Sequence, residues 1–109
     1  MHPRRGEVWV SFDSAVGGEI QKTRPALIIS NDSANAALNR VIVIPVTSQI
    51  AKVYPGEALI TLNGQRRKAM ADQIMTASKQ RLKNKLGSLS RADVTAVEGA
   101  ILLQLAIRA

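Results

Sequence analysis

Apolar and polar residues alternate with a period of two over the first part of the chain, which is the pattern of half-buried β-strands. Residues 7–12 carry it clearly, with two valines and a phenylalanine on one side and Trp9 on the other. A second strand is predicted for residues 25–30. Pro25 stands at its first position, where the missing N–H of proline is tolerated. Residues 14–23 contain a Gly-Gly pair and lack a clean period, which predicts a loop between these strands.

The next segment predicts a short helical turn and a buried strand. Asn31 can cap a turn that ends near residue 39. The β-branched run 41–46 has the composition of a central strand that is buried on both faces. We expect the pairing of this strand to stop at Pro45, which has no N–H to donate.

A hairpin is predicted around Asn63-Gly64. This dipeptide favours a type I′ turn, in which both central residues need a positive φ, so residues 57–62 should pair with residues 65–71. The elements predicted after the hairpin are a strand at 74–77, one helical turn at 78–82 and a last strand at 86–89.

An amphipathic helix is predicted at the end of the chain. Ser90 and Asp93 resemble a capping box, and the apolar positions that follow recur at helical spacing: Val94, Val97, Ile101 and Leu105. Gly99 lowers helix propensity by about 1 kcal/mol relative to alanine, which suggests close packing at that point. We therefore predict one domain over residues 1–109, mainly β with α: a strongly curved antiparallel sheet or small barrel closed by this helix.

The residue types present exclude several kinds of site. The chain has no cysteine, so it lacks disulfides, thiolate nucleophiles and cysteine zinc sites, and its one histidine, His2, lies at a terminus. Histidine metal cages, Ser-His-Asp triads and paired-histidine ribonuclease chemistry therefore lack their parts. The acids are scattered and no Gly-rich phosphate loop occurs, so we expect no metal and no cofactor. Apolar runs reach four residues, as in residues 41–44, too short for a membrane span or signal peptide, so we expect a cytoplasmic protein.

The charge is strongly basic and unevenly distributed. Fifteen Lys and Arg against eight Asp and Glu give a net charge of +7, which favours a polyanionic partner. Residues 66–85 hold seven of the basic residues and one acid, Asp72, so this segment carries +6. A solvated face that promotes solubility would have the same composition, so charge alone leaves both interpretations open.

Polar groups with possible chemistry stand where predicted strands begin and end. Arg24 lies where the first loop becomes the second strand, and Thr47, Ser48 and Gln49 follow the third strand. If the two strands share a sheet, both groups could open onto one rim. Arg24 could equally be a surface or carboxylate-paired arginine, and Thr47 a turn hydroxyl bonded to its own backbone. Glu19 is either a base on the first loop or a solvated glutamate.

Two further residues have alternative interpretations. Asp72 either pairs with its basic neighbours, which contributes little when exposed, or accepts hydrogen bonds from a base. Trp9 is expected to pack against other side chains rather than stack on a base. With one each of Trp, Phe and Tyr, the chain lacks the aromatic-rich sheet of a typical single-strand-binding module.

Six blocks of sequence, taken in order, carry a family resemblance: RRGEVWVSFD, GGEIQKTRPALIISND, VIVIPVTSQI, VYPGEALI, KAMADQIMTASKQRL and LGSLSRADVTAVEGAILLQL. Together they cover nearly the whole chain and resemble the MazF/PemK family of toxin endoribonucleases, the toxin half of bacterial toxin–antitoxin modules. The resemblance implies an SH3-like barrel, a homodimer and metal-independent cleavage of single-stranded RNA at short sequences. It also implies inhibition by a cognate antitoxin whose acidic, disordered tail binds over the RNA site.

The resemblance assigns roles to individual residues. Arg24 takes the place of the arginine in the family's TRP motif and Thr47 that of the threonine after the proline-containing strand, so these are the principal catalytic candidates, with Glu19 at an acidic loop position. The other residues expected to contact RNA or shape its site are Lys22, Ser48, Gln49, Lys52, Tyr54, Lys68, Asp72, Gln73 and Lys79. Ser11 departs from the family, which usually has an aspartate there.

The chemistry implied is attack of the RNA 2′-OH on the adjacent phosphorus, which yields a 2′,3′-cyclic phosphate and a 5′-OH. In this hypothesis Arg24 stabilises the charge of the transition state, Thr47 donates a hydrogen bond to a phosphate oxygen, and Glu19 acts as a weak base. The alternatives are a gyrase-binding toxin of the same fold, like the CcdB group, and a basic domain that holds RNA without cutting it. A degenerate toxin kept for partner binding is a third alternative.

Overall fold

The computed structural model describes residues 2–12 and 23–108, which form a β-sheet with a C-terminal helix. The strands are β1 (Glu7–Phe12), β2 (Thr23–Ile28), β3 (Arg40–Thr47), β4 (Glu57–Leu62), β5 (Gln65–Met70), β6 (Met75–Ser78) and β7 (Leu82–Ser88). The helices are α1 (Asp32–Ala37) and α2 (Arg91–Gln104), and short 3-10 turns occupy Ala71–Gln73 and Lys79–Arg81. Neither helix of this part of the chain has the length and apolar character needed to cross a membrane.

The sheet is antiparallel and curls into a half-barrel, which confirms the predicted fold class. Its strand order is β4-β5-β3-β2-β1-β7, with β6 paired to β3 off this path. On one edge β3 pairs with β6 as far as Val43 and then with β5 from Val46. Pro45 falls in the gap between these two partners and lies opposite Ala26 of β2. The prediction that pairing stops at Pro45 is therefore wrong, because β3 changes partner there and continues to Thr47.

Side chains are buried on both faces of β3, as predicted for a central strand. Val43 belongs to an apolar cluster that also contains Ala26, Ile28, Val41 and Ala77, with Trp9 packed against it. The next residue, Ile44, belongs to the larger cluster between the sheet and α2. Because successive side chains of a strand point to opposite faces, the run of β-branched residues supplies both clusters at once.

The predicted turn and cap are present, with changes in detail. Asn63 and Gly64 have φ values of 51° and 79°, which confirms the type I′ hairpin. Ser90 Oγ accepts from the N–H of Asp93 at 3.1 Å and caps α2. The Asp93 carboxylate accepts from Thr61 N at 2.8 Å and so ties the helix to β4. Gly99 is exposed and a Cβ there would meet no atom within 4 Å, so the prediction of close packing is wrong.

The bounds of several strands differ from the prediction, and the differences exceed one residue in β2, which begins at Thr23 rather than residue 25, and in β7. β2 ends at Ile28 rather than residue 30, because the regular ladder breaks there: the N–H groups of Ile29 and Ser30 both donate to Ile42 O, and the Ser30 hydroxyl accepts from Ile42 N. β7 begins at Leu82 rather than residue 86, because backbone pairing with β1 holds its polar residues in the sheet.

Candidate active site at the ends of β2 and β3

The β2–β3 register brings the two principal catalytic candidates together. The pairing of β2 with β3 ends at Ala26 opposite Pro45, and Arg24 and Thr47 each lie two residues beyond that pair, toward the same end of the two strands. Both residues line one open, polar depression, together with Ser48. The two strands that sequence analysis could only suppose to be neighbours therefore do open these groups onto the same rim.

The hydroxyl of Thr47 is oriented by the backbone that follows it. Gln49 N donates to Thr47 Oγ1 at 3.2 Å, so the side chain does make the local turn bond considered for it. A hydroxyl has one proton to donate besides its acceptor lone pairs. Because Thr47 Oγ1 is the acceptor in this bond, its own proton is left to point at a ligand. The turn bond therefore fixes the hydroxyl without consuming its donor.

A second arginine, Arg67 of β5, lines the same depression and was not singled out from the sequence. Its Nη2 donates to Gln65 Oε1 at 3.0 Å. Its Nε is buried and has no hydrogen-bond partner among the described residues. Arg67 stands in a run of three basic residues, and that run gives no sign of which member reaches the site.

A second depression adjoins the first, and Arg24, Pro25 and Pro45 belong to the walls of both. Its polar members are Ser11 and Gln73, with Arg81 from the second 3-10 turn. The apolar part of this depression comes from Ala26, Val43, Met75 and Ala77. Ser11 is paired with Arg24 in the β1–β2 register. An apolar floor with polar groups around it suits a planar ring such as a nucleobase.

The electrostatic character of the two depressions is basic. Their linings include three arginines, Arg24, Arg67 and Arg81, and no aspartate or glutamate within the described ranges. Guanidinium groups bind phosphate with charge-assisted hydrogen bonds. Nowhere in residues 2–12 and 23–108 do three or more acidic, histidine or cysteine side chains gather in a way that could hold a metal ion.

Lys68 takes a different place from the one expected of an RNA-contacting lysine. Its side chain is buried, and Nζ donates to Lys52 O at 2.8 Å and to Glu57 Oε1 at 3.0 Å. It also lies 5.7 Å from the centroid of the Tyr54 ring. The N–H of Tyr54 donates to the same Glu57 carboxylate, which, together with Lys68, holds the pKa of Glu57 below its usual value. Lys68 therefore supports the loop that carries Lys52 and Tyr54.

The remaining predicted residues are spread around this centre. Gln73 lines the second depression, and Lys79 stands two residues before Arg81 in the neighbouring 3-10 turn. Asp72 lies instead beside Tyr54 and Gln104, in a separate depression. The other predicted members, Glu19 and Lys22, lie outside the described residues.

Comparison with known proteins was made by sequence and by structure. The family model of PemK-like, MazF-like toxins of type II toxin–antitoxin systems matches residues 4–105. The Endoribonuclease MazF9 of Mycobacterium tuberculosis is 42% identical over an alignment of 112 positions, gaps included, that covers 94% of this chain and 95% of that protein. A mycobacterial endoribonuclease solved with its cognate antitoxin has the same fold, with a TM-score of 0.83 at 24% identity and 98% of each chain covered. A MazE-MazF structure from Deinococcus radiodurans gives a TM-score of 0.80 at 27% identity over 97% of each chain.

Proposed function

Because this chain belongs to the PemK-like, MazF-like family of toxins of type II toxin–antitoxin systems, we propose that it is a sequence-specific endoribonuclease toxin. Family membership confirms the resemblance carried by its six sequence blocks. The proposed substrate is single-stranded RNA, including mRNA. Support comes from a relative named endoribonuclease, which is 42% identical over nearly the full length of both proteins.

The observation that carries the proposal is the meeting of Arg24 and Thr47 at one polar depression. RNA brings its own nucleophile, so an enzyme that aligns the 2′-OH with the adjacent phosphorus gains much of its rate from orientation alone. The guanidinium of Arg24 stabilises the negative charge that accumulates on the reacting phosphate, and the hydroxyl of Thr47 donates a hydrogen bond to a phosphate oxygen.

The reaction is an internal transfer of the phosphodiester. The 2′-oxygen forms a bond to phosphorus while the bond to the 5′-oxygen breaks, and a 2′,3′-cyclic phosphate and a 5′-OH result. We assign the proton of the 2′-OH to Glu19 and the proton gained by the 5′-oxygen to solvent. The scheme requires neither a metal nor a covalent intermediate. Gln73, Ser48 and Gln49 are proposed to hold the RNA beside the reacting phosphate.

The proposed partners follow from relatives and from charge. A mycobacterial endoribonuclease is solved with its cognate antitoxin, and a MazF of Deinococcus radiodurans with MazE. We propose that a cognate acidic antitoxin covers the basic RNA site of this chain and that the toxin acts in the cytoplasm as a homodimer. Light scattering of the purified protein should then give about twice the 11.7 kDa of one chain.

The test is incubation of the purified protein with mixed-sequence single-stranded RNA in EDTA, with fragment ends mapped. We expect cuts at one short motif with cyclic-phosphate ends. Arg24→Ala should lower the cleavage rate by at least about 100-fold, with an unchanged circular dichroism spectrum. Substrate that carries 2′-deoxy at the cut site should resist the enzyme, because the nucleophile is gone.

Other outcomes would select the alternatives. Salt-sensitive binding of RNA that stays intact would indicate a module that holds RNA without cutting it. Neither cutting nor binding, by folded and antitoxin-free protein, would favour a gyrase-binding toxin. Arg24→Ala with near wild-type activity would refute the catalytic assignment even if the protein cuts RNA.

A further inference from the structure

Arg67 occupies a position that its two neighbours in the sequence do not share. Arg66 is exposed on β5, with its Nη1 3.5 Å from Thr61 Oγ1. Lys68 is buried against the 52–57 loop, where its Nζ donates to Lys52 O. Arg67 is half-buried and lines the depression that also contains Arg24 and Thr47. Of these three consecutive cations, one therefore belongs to the wall of the proposed reaction site.

The hydrogen bonding of Arg67 is incomplete. Nη2 donates one hydrogen bond to Gln65 Oε1, and Nε is buried without a hydrogen-bond partner in the described part of the chain. A buried N–H without an acceptor costs free energy, so its presence in a fold calls for an explanation. The lining of the depression, as described, offers no carboxylate that could pair with this guanidinium.

We propose that Arg67 is a further RNA-binding residue, which holds a phosphate of the RNA that enters the Arg24–Thr47 depression. The proposal rests on the ribonuclease function and names an additional contact in it. An arginine presents its protons as a planar fork that matches two oxygens of one phosphate. One N–H of the guanidinium is engaged in the hydrogen bond to Gln65, and the remaining N–H groups are enough for such a two-point contact. Arg24 and Arg67 then flank the phosphate from strands β2 and β5.

The chain offers a matched control in Arg66. Arg67→Gln and Arg66→Gln remove the same charge from adjacent positions of one strand, so long-range electrostatics change almost equally. The probe is a mixed-sequence 2′-O-methyl RNA oligomer, which lacks the nucleophile and stays intact. Binding is followed by fluorescence anisotropy at several KCl concentrations, and cleavage of unmodified RNA is measured in parallel.

We expect Arg67→Gln to weaken binding of this oligomer by at least about tenfold, which is the scale of a charge-assisted hydrogen bond. Arg66→Gln should weaken it by less than about threefold. The slope of log affinity against log salt should fall by about 0.7 in Arg67→Gln, which is the change expected when one phosphate of a single strand is no longer neutralised. Thermal unfolding should show both variants folded.

A second pair of variants covers the case in which Arg67→Gln does not fold. Arg67→Lys keeps the charge but loses the planar fork, and we expect it to bind the oligomer at least about threefold more weakly than Arg66→Lys does. Equal losses at the two positions would overturn the proposal.

The outcomes separate this inference from the proposed function. If wild-type protein binds the oligomer but never cuts unmodified RNA, the ribonuclease function fails, and the comparison of Arg67 with Arg66 still decides the contact. If wild-type protein cuts RNA while the two glutamine variants behave alike, the function holds and the role of Arg67 is refuted. Absence of any RNA binding would refute both.

Discussion

The hydroxyl of Thr47 accepts a hydrogen bond from Gln49 N and keeps its own proton for a ligand. Thr47→Val removes this donor and preserves the shape of the side chain. We expect kcat for RNA cleavage to fall by about 100-fold, the scale expected for removal of one transition-state donor, with little change in KM. Steady-state kinetics on a short RNA substrate measure both. Thr61→Val, at an exposed position of β4, is the control, and a Thr47→Val enzyme with normal kcat would contradict the assignment.

Lys68 makes its contacts inside the protein, so its loss should affect the fold first. Lys68→Met leaves the carboxylate of Glu57 without its cation and Lys52 O without its donor. Breaking a buried ion pair from one side destabilises a protein by about 3 kcal/mol. We expect a loss of that size in urea unfolding, against a negligible change for Lys52→Met, which removes the same charge from an exposed side chain. Equal stability of the two variants would contradict this role of Lys68.

The same ion pair predicts a pH dependence. The pKa of Glu57 lies below its ordinary value of 4.5, because Tyr54 N and Lys68 donate to the carboxylate. A depressed folded-state pKa contributes stability that is present above the unfolded-state pKa and is lost as the pH falls through the folded-state value. Glu57→Gln should therefore be less stable than wild type at neutral pH, and the difference should shrink below pH 4.5.

Urea unfolding over a series of pH values measures that difference. Glu98→Gln serves as the control, because Glu98 forms a partly exposed ion pair with Arg5 and such pairs contribute little. A Glu57→Gln difference that stays constant into the acid range would exclude the proposed linkage.

At the scale of elements, α2 contains a glycine that the fold does not require. Gly99 has a helical backbone and open space around its missing side chain. Gly99→Ala should therefore raise the free energy of unfolding by about 1 kcal/mol, as measured by urea denaturation. Gly64→Ala is the informative contrast: its φ of 79° is the left-handed turn conformation, so we expect a loss of about 1 kcal/mol there. Stabilisation at both positions would show that the turn is not formed as described.

Features set by local chemistry could be predicted from the sequence, whereas strand bounds and strand partners that depend on long-range pairing could not. The hairpin follows from Asn63-Gly64 and the start of α2 from Ser90, because each signal lies within a few residues of what it determines. Pro45 misled because its effect depends on two strands distant in sequence. Gly99 misled because a low propensity does not say whether anything packs against the helix.

The candidate site was predictable to the extent that it depends on one strand pair. Arg24 lies near the start of β2 and Thr47 at the end of β3, and these strands are neighbours, so the meeting of the two side chains could be anticipated. Arg67 could not, because it reaches the site only through the pairing of β5 with the last two residues of β3. Three consecutive cations of similar chemistry therefore acquire three different environments, which the composition of the segment does not reveal.

At the scale of the whole molecule, the net charge of +7 is concentrated in one segment that contributes to the candidate site. The segment 66–85 supplies the support of the 52–57 loop through Lys68 and the wall of the site through Arg67 and Arg81. Charges in this segment should therefore determine RNA affinity more strongly than equal charges elsewhere on the surface. A solvated face that serves only solubility would give no such difference.

A comparison of two double variants tests this expectation. Lys79→Gln with Arg81→Gln removes two cations next to the second depression, and Arg91→Gln with Arg108→Gln removes two exposed cations of the C-terminal region. Both proteins have a net charge of +5, which is +7 less the two cations removed, so a uniform electrostatic effect would weaken RNA binding equally. We expect the first pair alone to reduce the slope of log affinity against log salt, by about 0.7 for each phosphate that the protein no longer neutralises. Equal slopes for the two double variants would mean that RNA affinity depends on the overall charge of the protein and that the basic segment contributes no more than other surface cations.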